Sequence, residues 1–146
     1  MAELIRKTLS TRDRPPPMKF AAFKSAAGRV YVRDFLSTRR TLRLRLIARM
    51  ESHCREYDAG QFQPDGMKVR PFPGGKFDGE IRVKHHKEAF RFPYWIDKTD
   101  RRFILLDGFP KKSGKSDQWP KRDVTRAERR LREYQKSPAA HRAPVS

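Results

Sequence analysis

Two groups of cations in this sequence have the types and spacing to handle an anion. The first is the stretch GFPKKSGKS, Gly108 to Ser116, which follows the apolar run RFILLDGF and carries Lys111, Lys112 and Lys115. The second lies in two strand-like runs, KFDGEIRVKH and EAFRFPYWID, which hold Arg82, Lys84, His85, His86 and Arg91. Lysine brings a mobile point charge to a phosphate, whereas arginine brings a planar fork that grips two oxygens and keeps its proton. Histidine adds a group that titrates near neutrality and can carry a proton.

The lysine stretch is not a nucleotide triphosphate loop. Such a loop has four residues between its first glycine and the Gly-Lys-Ser, because its amides must curl around a phosphate of fixed size. Five residues separate Gly108 from Gly114. The chain after Ser116 holds one helical pattern and none of the parallel strands or acidic strand ends that would hold magnesium. The lysines are aimed at a phosphate of another kind.

Composition names the kind. Among 146 residues, 35 Lys and Arg face 17 Asp and Glu, a formal charge of +18 that repels itself unless an anionic partner compensates it. Nucleic acid is the simplest such partner. A ribosomal or membrane-surface protein would share the excess. No apolar run has the length of a membrane span, and the opening MAELIRKTLSTRDRPPP lacks the long apolar segment of a secretory signal, so a cytoplasmic protein is expected. The single cysteine, Cys54, cannot form an internal disulfide and reads as a core thiol. The four histidines make no zinc spacing with it, and neither metal nor cofactor is expected.

The cations need a scaffold. Residues 1–17 form a basic tail ending in three prolines, and residues 137–146 read as a disordered tail, which leaves one domain over 18–136. MKFAAF reads as a strand. From Tyr31, the residues Phe35, Leu36, Leu42, Leu46, Ile47, Met50, Cys54 and Tyr57 recur at helical spacing, as two successive amphipathic helices. Three strands follow, KFDGEIRVKH, EAFRFPYWID and RFILLDGF, joined by gaps short enough for antiparallel hairpins. Pro93 lacks a ladder donor and points to an edge or a bulge. SDQWPKRDVTRAERRLREYQKS closes the domain as a helix with Val124, Ala127, Leu131 and Tyr134 in one stripe, Pro120 at its start and Ser116 or Asp117 as cap. The fold class is α+β: a small antiparallel twisted sheet of about four strands, with two N-terminal helices and one C-terminal helix packed on it. Arg82, Lys84, Arg91, Lys111 and Lys115 then form a cationic floor for a sugar-phosphate backbone, with Phe92, Tyr94, Trp95 or Trp119 available to stack on bases where exposed.

The succession FDGEIRV, AFRFPYWID, RRFILLDGFPKKSGKSDQWPKRDVTRAERRLREY resembles the phage-derived, Gp49-like and HigB-like branch of the RelE/ParE toxin superfamily. The resemblance runs over residues 18–136 and is most specific over 80–134. It implies a RelE-like sheet with packed helices, a toxin that cuts messenger RNA on the ribosome without a metal, and a cognate HigA-like helix-turn-helix antitoxin that forms an oligomer with it. Matched by motif, Arg82 closes the ELR-like strand, Arg91 stands in the YR strand, and Lys111 and Lys112 form the KK pair. Metal-free RNA cleavage needs a base for the 2′-hydroxyl, charge stabilisation at phosphorus and an acid for the leaving oxygen. Arg82 and Arg91 suit the second task and Lys112 the third. His85 is a candidate base, with Lys68 and Lys76 as alternatives for that role or for RNA contact. A ParE-like poison of gyrase and a non-catalytic basic nucleic-acid binder are the rival functions.

Overall fold

The computed structural model describes residues 14–63, 76–111 and 119–146. Strand β1 spans Lys19–Phe23, helix α1 Tyr31–Leu36 and helix α2 Arg40–Asp58. Strands β2 (Gly79–His85), β3 (Glu88–Asp97), β4 (Arg102–Leu105) and β5 (Phe109–Pro110) follow. Helix α3 covers Lys121–Lys136, and after a 3-10 turn at Pro138–His141 the chain ends in the short strand β6, Arg142–Ala143.

The strands make one six-stranded sheet in the order β2-β3-β4-β1-β6, with β5 also paired to β3. Side chains alternate between faces along each strand, and here both faces are covered. One face carries Ile81, Val83, Phe90, Phe92, Tyr94, Phe103 and Leu105, packed under Val32 and Leu36 of α1 and Leu42, Leu46 and Met50 of α2. The other carries Ala21, Phe23, Ile104 and Leu106, packed under Val124, Ala127, Leu131 and Tyr134 of α3. That two-sided burial explains why FAAF and FILL read as almost continuous apolar runs.

The architecture is α+β with three helices, and four features depart from expectation. There are six strands, not about four, and the helices divide between the two faces. The sheet is mixed: β1 and β4 run parallel, with Lys19 opposite Arg102 and Ala22 opposite Leu105. The fourth departure is the C-terminus. Residues 137–146 are not a tail, because β6 pairs Ala143 with Ala22 and Arg142 with Phe23, and so covers the outer edge of β1. Val145 is buried, the His141 ring stacks on Phe23, and Arg142 donates to Asp100 at 2.7 Å.

Pro93 sits inside β3, not at an edge: the β2–β3 register is unbroken from Gly79–Tyr94 to His85–Glu88, while on the other side it slips by one residue between Tyr94–Leu105 and Arg91–Phe109, so that a bulge of the partner strand lies beside the proline as expected. Its carbonyl accepts from the Leu106 N–H at 2.8 Å. The reciprocal donor of that pair would be the N–H that proline lacks. Arg130 Nη1 of α3 donates to the Leu106 carbonyl instead, at 3.1 Å. Gly108, just beyond, tolerates no side chain, for a Cβ there would lie 2.8 Å from Phe92 and 3.0 Å from Phe35. Among the described residues, no helix is long and apolar enough to cross a membrane.

Candidate functional site

The β2–β3 hairpin sets the geometry. Its register puts Arg82 directly opposite Arg91, and Glu80 opposite Pro93 one same-face step along. Directly opposed like charges repel across an antiparallel pair, so the arrangement needs a counter-charge. Glu80 supplies it, two residues from Arg82 and therefore on the same face. Its carboxylate is 3% exposed; Oε1 accepts from Arg82 Nε at 2.5 Å, and Oε2 from the Trp119 indole N–H at 2.7 Å. Arg91 Nε stands 3.4 Å from Oε2. Two guanidiniums braced on one shared carboxylate present a planar donor array of the kind that suits an anion.

The two arginines are not equivalent. Arg91 is 2% exposed, with its guanidinium carbon 6.0 Å from the centre of the Trp119 ring. The side chain of Arg82 is 28% exposed and is the one that meets solvent. Trp119 is wedged between Phe77 and Phe109, at centroid distances of 5.4 Å and 5.1 Å. It enters the site as a donor to Glu80 and a wall for Arg91, not as an exposed platform for a base.

The remaining expected residues divide by strand parity. Lys84 shares the face of Arg82 and is exposed near the hairpin end. Phe109 pairs with Arg91, and Lys111, two residues on, donates its backbone N–H to the Ala89 carbonyl at 2.7 Å, so the KK segment starts beside the arginines. Lys76 is exposed, just ahead of Phe77. His85 is a correction. It shares the parity of Ile81 and Val83, on the face covered by α1 and α2, and its ring lies 4.0 Å from that of His86. Desolvation, then the neighbouring His86 and Arg45, lower its pKa from the ordinary value. Alternation separates it from a phosphate held by Arg82. Tyr94 is the second correction: it is fully buried against Phe62 and Phe103 and cannot stack on a base. Lys68, Lys112 and Lys115 lie outside the described residues.

Buried polar and ionic groups that sequence reasoning missed fix the sheet to α3. Asp107 accepts from Arg126 Nε at 2.7 Å and pairs with Arg130 Nη1 at 2.9 Å, while Arg126 also reaches Asp123 at 2.7 Å. The Arg130 guanidinium lies 3.6 Å from the centre of the Tyr31 ring. Desolvation lowers the Arg130 pKa, against the pull of Asp107. The Tyr134 hydroxyl donates to Asp97 at 2.7 Å, and its pKa is raised by burial and by that carboxylate. Glu80 was open to discovery, since a Glu two residues before an Arg in a strand must share its face. Asp107 and Arg130 were not, because only the tertiary fold brings them together.

The fold and the site define a basic α+β domain whose β2–β3 hairpin presents a carboxylate-braced arginine pair. Residues 74–132 match the family described as phage derived protein Gp49-like (DUF891), a span that takes in Glu80, Arg82, Arg91 and Trp119 but less than half of the chain. No curated protein and no solved structure matches.

Proposed function

We propose that the chain is the toxin of a type II toxin–antitoxin pair, an endoribonuclease that cuts messenger RNA on the ribosome without a metal. The single observation behind this reading is the pairing of Arg82 with Arg91 around Glu80 on one sheet face. In such a cleavage the 2′-oxygen attacks phosphorus, the 5′-oxygen leaves with a proton, and a 2′,3′-cyclic phosphate remains. Charge accumulates on the non-bridging oxygens in the transition state, and a guanidinium fixed in advance stabilises it without reorganising. Arg82 takes that role. Arg91, behind it, raises the local positive potential and, through Glu80, helps hold the Arg82 fork in place. Lys111 and Lys112 anchor the RNA, with Lys112 placed by its motif as acid for the leaving oxygen. The base is drawn from the lysines, Lys76 or Lys68, since His85 is on the far face. The partner is a helix-turn-helix antitoxin that masks the cationic face.

A second reading, a nucleic-acid binder without catalysis, is favoured by one observation, the near-complete burial of Arg91. Induced expression with and without the neighbouring reading frame, followed by mapping of cellular RNA ends, separates the two. Growth arrest with new transcript ends supports the nuclease; arrest with intact RNA and broken DNA supports a gyrase poison; neither leaves the binder.

A further inference from the structure

Helix α3 carries its cations in two sets. Arg126 and Arg130 turn toward the sheet and are engaged with Asp107, Asp123 and the Leu106 carbonyl. Lys121, Arg122, Arg129, Arg132 and Lys136 are exposed, and among the described residues they make no side-chain hydrogen bond or ion pair. At 3.6 residues per turn, these five and Thr125 fall within an arc of about 100° on the side away from the sheet, along roughly 22 Å of helix. No carboxylate enters the arc. Of the carboxylates of α3, Asp123 is buried and paired with Arg126, Glu133 accepts the Ala26 N–H at 3.0 Å, and Glu128, half-buried, lies about 20° outside the edge of the arc.

We propose that this outer stripe of α3 binds the phosphate backbone of a double-helical nucleic acid, at a surface separate from the Arg82 face. A protein partner needs apolar or aromatic anchors at the centre of its contact. The stripe has none, and the one exposed large hydrophobic residue among those described is Leu44, on α2. A single strand is held by stacking its bases on aromatic rings, and the aromatic residue of α3, Tyr134, is buried on the opposite side. What remains is a straight row of unpaired cations, which fits the regular phosphate row of a duplex and needs nothing else. Like-charged side chains at i,i+3 and i,i+4 cost helix stability, and a bound polyanion removes that cost.

The test is independent of cleavage. The full chain is titrated with 20-base-pair duplexes of 2′-O-methyl RNA, which cannot be cut through a 2′-hydroxyl, and of DNA, from 50 to 300 mM KCl. The variant Arg122→Gln, Arg129→Gln, Arg132→Gln, Lys136→Gln is compared with a scattered control, Lys19→Gln, Arg40→Gln, Arg55→Gln, Lys98→Gln, which loses the same charge. The stripe variant is expected to reduce the slope of log K against log salt by about 3, and the control by less than about 1. The tighter duplex identifies RNA or DNA as the source. Equal reductions in both variants, or a stripe variant whose slope is unchanged, would overturn the proposal. The substituted side chains are exposed, so both variants should melt within a few degrees of the parent; should the fourfold stripe variant melt lower, Arg129→Gln with Arg132→Gln replaces it, with an expected reduction of about 2.

Discussion

Arg82 and Arg91 lie directly opposite each other across the β2–β3 ladder, held by one buried carboxylate, Glu80, which also accepts the Trp119 indole N–H. Glu80 is therefore a counter-charge that the two opposed guanidiniums share. Glu80→Gln keeps the shape, but it removes the charge and turns one end into a donor facing donors. A loss of about 1–3 kcal/mol in unfolding free energy is expected from urea titration, read by the fluorescence of Trp119 in a Trp95→Phe background. An unchanged midpoint would show that the arginines do not depend on Glu80.

Arg130 completes the backbone pair that Pro93 cannot. Replacing Arg130 with Met strands both Asp107 and the Leu106 carbonyl, and should cost about 3 kcal/mol. Pro93→Val restores a donor to that carbonyl. In the double variant, therefore, the cost of losing Arg130 should fall by about 1 kcal/mol, a coupling that a double-mutant cycle in urea reads directly. Strict additivity would contradict the assignment.

The two-residue hairpin loop is built from His86 and Lys87, both at positive φ, 49° and 64°. This tight turn favours Asn-Gly, and each left-handed non-glycine residue costs of the order of 1 kcal/mol. His86→Asn with Lys87→Gly should raise the melting temperature by about 2–4 °C or more.

Cys54 is 7% exposed, and burial, with Asp58 next, pushes its thiol pKa up to about 12. A thiol raised in the folded state is inert as a nucleophile at neutral pH. It also favours folding less as pH rises above its ordinary value near 9, since the unfolded chain loses that proton first. Alkylation by iodoacetamide at pH 8 should be negligible in the native protein and complete in urea.

The strands and helices were legible because their signals are local: alternation in EAFRFPYWID, helical spacing from Leu42 to Cys54, and short gaps at His86–Glu88 and Lys98–Arg101. What escaped is non-local. The parallel pairing of β1 with β4 and the seating of β6 depend on contacts between residues about 80 and 120 apart, for which PAAHRAPVS carries no pattern of its own. At the site, residue type pointed to Arg82 and Arg91, and the register sets them opposite each other. The same alternation moved His85 and Tyr94 to the other face, a result that hung on register. Trp119, surrounded by polar sequence, read equally as core or as exposed, and Phe77 and Phe109 from other elements enclose it.

Cleavage by the purified chain tests the central claim most directly. End-labelled messenger RNA on translating ribosomes is incubated in EDTA with the parent protein, Arg82→Lys and Arg82→Ala. The expected result is discrete cleavage by the parent, with the rate reduced about 100-fold or more in Arg82→Ala and less in Arg82→Lys, while ribosome binding persists. Cleavage by Arg82→Ala at the parental rate, or intact message with the parent protein bound to the ribosome, would contradict it.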